Sequence, residues 1–228
     1  MARFQRLEVI QVLLDSGLLP IFYIGDADAA VEIAAACARG GAKAVELTNR
    51  GEAAYPVFRE MVRRLAEDDP SLILGVGTVT DAPTAALYLA AGANFIVGPN
   101  FNPEIAKLCN RRKVLYVPGC ATETEIAAAE ELGAEICKIF PAGTVGGPAF
   151  IRAVMAPCPW HRLLATGGIE ASEPGIAEWI TAGTAVIGMG GNLISRRRVK
   201  EKDFGGIAET TAACIGWIAK ARGARLSS

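Results

Sequence analysis

The chain has 228 residues, 51% of them hydrophobic, and a formal net charge of −1 at pH 7. A charge this close to zero gives no electrostatic basis for binding nucleic acid or an anionic membrane surface. No apolar run reaches the length of a transmembrane helix, and the opening segment lacks the apolar core of a signal peptide. We therefore expect no nucleic-acid partner and no membrane association.

The cysteines and the single histidine limit the cellular location and the kinds of catalytic or metal site that we expect. Six cysteines are widely separated and form no CxxC pair, which predicts reduced thiols and a cytoplasmic location. His161 is the only histidine, so a histidine-rich metal site is excluded and a Ser-His-Asp triad is disfavoured. We interpret His161, which follows Trp160 in a loop, as a structural residue, and we expect neither a metal nor a cofactor.

Short apolar runs alternate with Ala/Glu-rich segments of helical periodicity along the whole chain. The runs with the length and composition of buried strands are 20–24, 42–47, 72–77, 94–98, 114–119, 135–140, 162–166 and 185–189. The segments between them that are predicted to be helical are 27–39, 52–67, 82–91, 103–110, 122–132, 148–155 and 173–182. An amphipathic helix near 4–16 precedes the first strand, and another near 206–222 follows the last. Asp81 and Thr122 occupy expected N-cap positions.

Eight strands alternating with helices predict a parallel sheet with right-handed crossovers, and eight is the number that closes a barrel. A weak repeat favours closure, because a small-residue helix stop precedes every second strand, at Gly41, Gly92, Gly133 and Gly183. Glycine before a strand is also ordinary helix-to-strand chemistry. No linker divides the chain, so we predict a single-domain α/β (β/α)8 TIM barrel over residues 1–228 with an extra N-terminal helix.

Polar residues near the ends of the predicted strands indicate a reactive site, because such a barrel carries its active site at the carboxyl ends of its strands. Lys138 lies in the apolar run 135–140, where burying an ammonium group is costly unless it is used. Glu46 has a similar place in the second strand, Arg50 follows it, and Thr78 ends the third. The alternatives are that Lys138 extends to solvent along its apolar stem and that Glu46 is only the ion-pair partner of Arg50.

Two glycine-rich turns follow the last two strands, ATGGIE at 165–170 and IGMGGN at 187–192. Barrels of this kind commonly bind phosphate there through backbone N–H groups, although glycine turns follow strands in many other α/β folds. The basic run RRRVK at 196–200 comes next. We interpret it as a solvated face, with steering of an anionic substrate as the alternative.

A lysine, a glutamate and an arginine directed into one barrel, opposite a phosphate-type turn, predict imine chemistry. A desolvated lysine can attack a carbonyl as a neutral amine. The resulting iminium withdraws electrons from the neighbouring carbons, so a C–C bond two atoms away can break without a metal. A buried carboxylate is the candidate base, because no histidine is available for that role.

Five motifs in this order resemble one known family. They are VELTNR around Glu46 and Arg50, GVGTV at Thr78, VGPNF at Pro99, CKIFPAG around Lys138 and ATGGI at 165–169. Together they are similar to the 2-keto-3-deoxy-6-phosphogluconate (KDPG) / 4-hydroxy-2-oxoglutarate (KHG) aldolases, class I aldolases on a (β/α)8 barrel. The resemblance extends over roughly residues 8–195, most of the chain.

The resemblance implies that Lys138 forms a Schiff base with the 2-keto carbon, and that Glu46 takes the proton of the C4 hydroxyl and later protonates the enamine. It implies that the residues holding the substrate, from its carboxylate to its distal phosphate, are Arg50, Thr78, Pro99, Phe140, Thr166, Gly167, Gly168, Gly190 and Gly191. Cleavage of KDPG would yield pyruvate and glyceraldehyde 3-phosphate. The resemblance also implies a cytoplasmic homotrimer acting in the Entner-Doudoroff route.

Three positions depart from the family pattern, and the first two lie near the distal end of the substrate. Gly143 stands where a glutamate is usual, and Gly191 or Asn192 where a serine hydroxyl usually meets the phosphate. In the TNR motif, Asn49 precedes Arg50 where leucine is common in the family. KDPG is the leading substrate, and KHG and 2-keto-3-deoxy-6-phosphogalactonate are alternatives that would use the same lysine. Outside this class, a sugar-phosphate epimerase or isomerase and a sugar-phosphate-binding barrel remain as alternatives.

Overall fold

The computed structural model describes residues 2–226 and consists of parallel strands that alternate with helices. The strands are β1 (Leu18–Phe22), β2 (Ala44–Thr48), β3 (Ile73–Gly77), β4 (Phe95–Val97), β5 (Leu115–Val117), β6 (Gly119–Cys120), β7 (Cys137–Ile139), β8 (Leu163–Thr166) and β9 (Val186–Met189). The helices are α1 (Arg6–Ser16), α2 (Ala27–Arg39), α3 (Ala54–Asp68), α4 (Ala82–Ala91), α5 (Pro103–Arg112), α6 (Glu123–Glu131), α7 (Gly147–Met155), α8 (Glu173–Ala182), α9 (Arg196–Glu201) and α10 (Phe204–Leu226).

The strands form one parallel sheet in the order β5-β4-β3-β2-β1-β9-β8-β7-β6. Its two end strands, β5 and β6, are consecutive in the chain and are separated only by Pro118. Proline has no N–H to donate to a ladder, so the fifth predicted strand divides there. β5 pairs with β4 and β6 pairs with β7, which closes the sheet into a barrel. The predicted α/β barrel is therefore confirmed, with its fifth strand in two parts.

Two apolar clusters hold the barrel together. One fills the space between the strands and the surrounding helices. The other lies inside the barrel and includes Ala44 of β2 and Ile136 just before β7, together with Val9, Ile10 and Leu13 of α1. Helix α1 thus packs its apolar face against the inward-facing residues of the strands. Because α1 precedes β1, it lies at the amino-terminal end of the barrel and leaves the carboxyl end open.

The predicted elements agree with the observed ones except at their ends and in one helix. The first strand is 18–22 where 20–24 was predicted, because its ladder with β9 begins at Leu18. The short helix α9 was not predicted, and the predicted basic run lies on it. The N-caps were predicted correctly: Asp81 accepts from the Thr84 N–H at 2.8 Å, and Thr122 accepts from Glu125 at 3.3 Å. Between residues 2 and 226 no helix is long and apolar enough to cross a membrane.

Candidate active site

Glu46 and Lys138 are brought into the barrel by the two-residue period of their strands. Ala44 and Ile136, two residues before them, belong to the interior cluster, so Glu46 and Lys138 face the same space. Glu46 is 1% exposed and Lys138 is 6% exposed. The alternative that Lys138 extends to solvent is therefore wrong.

The Glu46 carboxylate has room because the neighbouring strand carries glycine. A Cβ built on Gly77 of β3 would overlap the Glu46 carboxyl group. The Oε2 atom of Glu46 is buried and has no hydrogen-bond partner within residues 2–226. An unpartnered buried oxygen is unusual in a folded protein and marks a place where a ligand or a reacting group is to be bound.

Charge and burial act on Glu46 in opposite directions. Burial raises the pKa of the Glu46 carboxyl above its usual range, and the positive charges of Lys138 and Arg50 oppose that rise. Within the described part of the chain, neither cation forms an ion pair with Glu46 at 4.0 Å or less. Glu46 is therefore not fixed by a structural salt bridge to Arg50. A raised pKa lets this carboxyl hold its proton at a higher pH than an ordinary glutamate does, which suits a group that acts as both acid and base.

The ammonium group of Lys138 lies beside an aromatic ring. Its Nζ is 4.9 Å from the centroid of Phe140, which follows β7 on the same side of the strand. A cation this close to a ring face is stabilised by the ring quadrupole. Phe140 therefore forms one wall around the lysine.

A cavity of about 680 Å³ opens beside this pair, at the carboxyl ends of β1, β2, β8 and β9. The predicted substrate-binding residues that line it are Arg50, Thr166, Gly167, Gly168, Gly190 and Gly191. Thr48 also lines it and is the next inward-facing residue after Glu46. The residues that were predicted for the site but do not line this cavity are Glu46, Lys138, Thr78, Pro99 and Phe140. The cavity thus lies at the carboxyl end of the barrel, on the side of the glycine turns and next to the position that follows Glu46 on the inner face of β2.

The turn after β8 has the backbone expected of an anion-binding loop. Gly167 and Gly168 have φ of 101° and 81°, which L-residues with a side chain rarely adopt. In the part of the chain that the structure describes, the N–H groups of Gly168 and Gly191 donate no hydrogen bond. Two backbone donors are therefore free beside the cavity, on the turns after β8 and β9.

Two of the three departures from the family pattern, at Gly143 and at Asn192, have structural explanations. The N–H of Gly143 donates to Gly167 O at 2.9 Å, and an added Cβ would lie 3.3 Å from that oxygen, so glycine lets the two turns meet. Asn192 donates through Nδ2 to Ile169 O at 2.7 Å and so joins the turns after β8 and β9. The Asn192 side chain therefore holds these two turns together, and it has no hydroxyl that could take the place of the usual serine.

The remaining predicted residues lie at the ends of β3, β4 and β8. Thr78 has φ of 58°, which is strained for a β-branched residue. Such strain is retained where the surroundings require it and is often found at functional positions. Thr166 has a buried Oγ1 without a partner among the described residues, and Gly188 leaves the space that this hydroxyl occupies. Pro99 lies with its carbonyl against Gly119.

Sequence reasoning undervalued the basic run on α9. Arg196 and Lys200, four residues apart on one helix face, line the cavity. Arg197 instead pairs with Glu201 at 2.7 Å, and Arg198 lies 3.5 Å from an oxygen of Asp203. Two of the four cations of the run therefore support the alternative that it steers an anion. The sequence feature that could have indicated this is the i,i+4 spacing of Arg196 and Lys200 directly after a glycine-rich turn.

Comparison with known proteins agrees with this arrangement. The model of the family "Aldolase: KDPG and KHG aldolase" matches residues 9–210. A 2-dehydro-3-deoxy-phosphogluconate aldolase of Treponema pallidum is 32% identical over 88% of this chain and 90% of its own. One of Pseudomonas aeruginosa is 35% identical over 68% and 69%. The compound in both enzyme names, 2-dehydro-3-deoxy-phosphogluconate, is another name for KDPG.

A solved structure extends the likeness to three dimensions. The KDPG aldolase of Legionella pneumophila, with pyruvate captured as a covalent carbinolamine intermediate, is 25% identical, covers 89% of this chain and 95% of its own, and has a TM-score of 0.80. The matched family model spans most of the chain, and the folds agree over nearly its full length. This chain belongs to the KDPG and KHG aldolase family.

Proposed function

We propose that this protein is a class I aldolase that cleaves KDPG to pyruvate and glyceraldehyde 3-phosphate through a Schiff base on Lys138. The observation that carries the proposal is the buried Lys138 beside a buried, unpartnered carboxylate inside the barrel. Lysine and carboxylate are the nucleophile and the base that this reaction needs. A barrel with a polar cavity but without such a pair would bind a sugar phosphate without cleaving it.

The reaction begins when the amine of Lys138 attacks the 2-keto carbon and the carbinolamine loses water to give an iminium. Glu46 then accepts the proton of the C4 hydroxyl, the C3–C4 bond breaks, and its electron pair moves to the iminium to form an enamine. The aldehyde leaves, and Glu46 returns the proton to C3. Water hydrolyses the imine, which releases pyruvate and restores the Lys138 amine. The raised pKa of Glu46 suits a group that must both take and return a proton.

Binding of the substrate is assigned from the interior of the barrel, where the keto carbon meets Lys138, out to the cavity at the glycine turns. Arg50 and Thr78 would hold the carboxylate, which fixes the keto carbon against Lys138. Pro99, Phe140 and Thr166 would line the pyruvyl portion. The distal phosphate would be received by the free N–H groups of the turns at 167–168 and 190–191, in front of the cations of α9.

KHG is a second candidate substrate, and one observation favours it. Gly143 has no side chain to meet a phosphate, and the Asn192 amide donates one of its N–H groups to Ile169 O instead. KHG and 2-keto-3-deoxy-6-phosphogalactonate would both use Lys138 in the same way. Dephosphorylated KDPG should have a strongly raised KM if the glycine turns bind phosphate, and an unchanged KM would favour KHG.

The imine is tested by borohydride reduction in the presence of pyruvate, followed by peptide mass spectrometry. We expect a pyruvyl adduct on Lys138 and none on the Lys138→Ala protein, which should also lose turnover while staying folded. A sugar-phosphate epimerase or a binding barrel would form no reducible adduct. Cleavage by Lys138→Ala would contradict the imine mechanism.

We infer further that residues 1–228 form one aldolase domain that assembles as a homotrimer in the cytoplasm and serves the Entner-Doudoroff route. All six cysteines are free thiols, which suits a reducing compartment. Leu7 and Trp160 are exposed to 75% and 66% and are available for contacts between subunits. Analytical ultracentrifugation tests the assembly, and a monomer at micromolar concentration would contradict it.

A further inference from the structure

A second cluster of reactive side chains lies outside the barrel, between α6 and the segment that leads into β8. Glu123 and Glu130 come from α6, and Cys158 and His161 come from the segment between α7 and β8. The side chain of His161 is only 2% exposed. None of these four residues lines the 680 Å³ cavity or has a part in the aldol reaction.

His161 is held in one orientation by a carboxylate. Its Nδ1 lies 2.7 Å from an oxygen of Glu130. Metal-binding histidines are typically fixed in this way, with one ring nitrogen donating to a carboxylate so that the other carries the lone pair for the ion. The other ring nitrogen, Nε2, lies within hydrogen-bond distance of Glu123, 3.2 Å from each of its two oxygens.

Cys158 completes a set of three different donors. Its Sγ is 3.5 Å from Oε1 of Glu123, and the donor atoms of Glu123, Cys158 and His161 all lie within 4.8 Å of one another. The Glu123 side chain is 42% exposed, so an ion can reach the cluster from solvent although His161 is buried. A thiol, an imidazole and a carboxylate form a donor set that suits zinc.

The distances fit a tetrahedral ion. Zinc bonds of about 2.0–2.3 Å at tetrahedral angles place a nitrogen and an oxygen ligand about 3.3 Å apart and a sulfur and an oxygen ligand about 3.6 Å apart. The corresponding separations here are 3.2 Å and 3.5 Å. Two edges of the tetrahedron are thus already in place, and small movements of Cys158 would set the third.

We propose that Glu123, Cys158 and His161 form a zinc site with water as the fourth ligand and Glu130 as the residue that orients His161. Binding releases the Cys158 thiol proton to solvent and leaves His161 neutral, with its remaining proton directed to Glu130. The bound ion would join α6 to the segment before β8. These two elements flank β7, the strand that carries Lys138, but none of the four residues lines the cavity, so the ion would take no part in the imine chemistry.

Cobalt(II) is the probe for this site, because a thiolate ligand gives a sulfur-to-cobalt charge-transfer band in the near ultraviolet. We expect the full-length protein, after treatment with a chelator, to bind one equivalent of cobalt with this band, and added zinc to displace it. Cys158→Ser should abolish the band, and Cys214→Ala, which changes a buried cysteine far along the chain, should keep it. Glu130→Gln should keep the band and weaken cobalt binding about 10- to 100-fold.

Two results overturn the proposal. One is wild-type protein without the charge-transfer band, which would leave His161 as a structural residue held between the carboxylates of Glu123 and Glu130. The other is a band that persists in Cys158→Ser, which would place the ion elsewhere. Glu123→Gln serves as a second ligand variant should Cys158→Ser not fold, and pyruvate-dependent labelling of Lys138 reports that each variant is folded.

Discussion

The substitution Glu46→Gln tests two properties of the Glu46 carboxylate separately: its role in proton transfer and the free energy that burying it costs the folded protein. Glutamine has nearly the same shape but neither accepts nor returns a proton. We expect kcat for KDPG cleavage to fall by about 10²- to 10⁴-fold, the usual contribution of a general acid or base. Formation of the pyruvyl imine should persist, because Lys138 is unchanged.

The same substitution should change how stability depends on pH. In the unfolded chain the Glu46 carboxyl has its ordinary pKa of 4.5, and burial raises the pKa in the folded protein. The folded state therefore binds the proton more tightly. The stability gained from this proton is fully present below pH 4.5 and is lost as pH rises toward the folded pKa.

The size of this change in the free energy of unfolding is limited because a single proton is involved. Within that window the free energy of unfolding of the wild type falls relative to Glu46→Gln by at most about 1.4 kcal/mol per pH unit. Above the folded pKa the difference becomes constant. Glu46→Gln should consequently be the more stable protein at neutral pH, because it buries no unpartnered charge.

Urea denaturation at a series of pH values measures this difference. Glu209→Gln, a change at an exposed position of α10, is the matched control and should give a curve parallel to the wild type. Parallel curves for Glu46→Gln as well would refute the reasoning, because the carboxyl would then titrate alike in the folded and unfolded chains. A kcat within threefold of the wild type would remove Glu46 from the mechanism.

Three further changes test the surroundings of the site. Gly77→Ala should lower kcat on the order of 10²-fold, since its Cβ would displace the carboxylate of Glu46. Replacing Arg196 and Lys200 together by glutamine should raise KM for KDPG roughly three- to tenfold, as exposed charges contribute little each; KM for dephosphorylated KDPG should not change. Leu13→Ala should lower the free energy of unfolding by about 2–5 kcal/mol, measured in urea, with kcat unchanged, because this buried side chain lies at the far end of the barrel.

The first two of these changes have a control within the chain. Gly216→Ala adds a methyl group where nothing lies within 4 Å and should leave kcat unchanged. Arg197→Gln removes a neighbouring cation that pairs with Glu201 rather than lining the cavity, and should not alter KM. An equal effect of Arg197→Gln would mean that α9 acts through net charge alone. An unchanged kcat in Gly77→Ala would mean that Glu46 need not occupy its observed position.

The order of strands and helices could be predicted from the sequence because hydrophobic periodicity is a local property. The positions of the two buried charged residues, Glu46 in the second predicted strand and Lys138 in the sixth, could also be predicted. Lys138 and Glu46 each stand two residues after an apolar residue of the same face, so their common direction follows from the strand period. A charge inside an apolar run is costly, and that cost makes Lys138 recognisable from the sequence.

The tertiary structure decided what depends on contacts between distant segments. The division of the fifth strand at Pro118 follows from pairing with two different neighbours. The space for Glu46 depends on Gly77, which lies on another strand. Arg196 and Lys200 line the cavity because α9 folds back over it. The sequence by itself determined the barrel and the lysine inside it, whereas only the folded chain brought Cys158 and His161, three residues apart, to the carboxylates of α6, since no local pattern specifies which helix packs beside a loop.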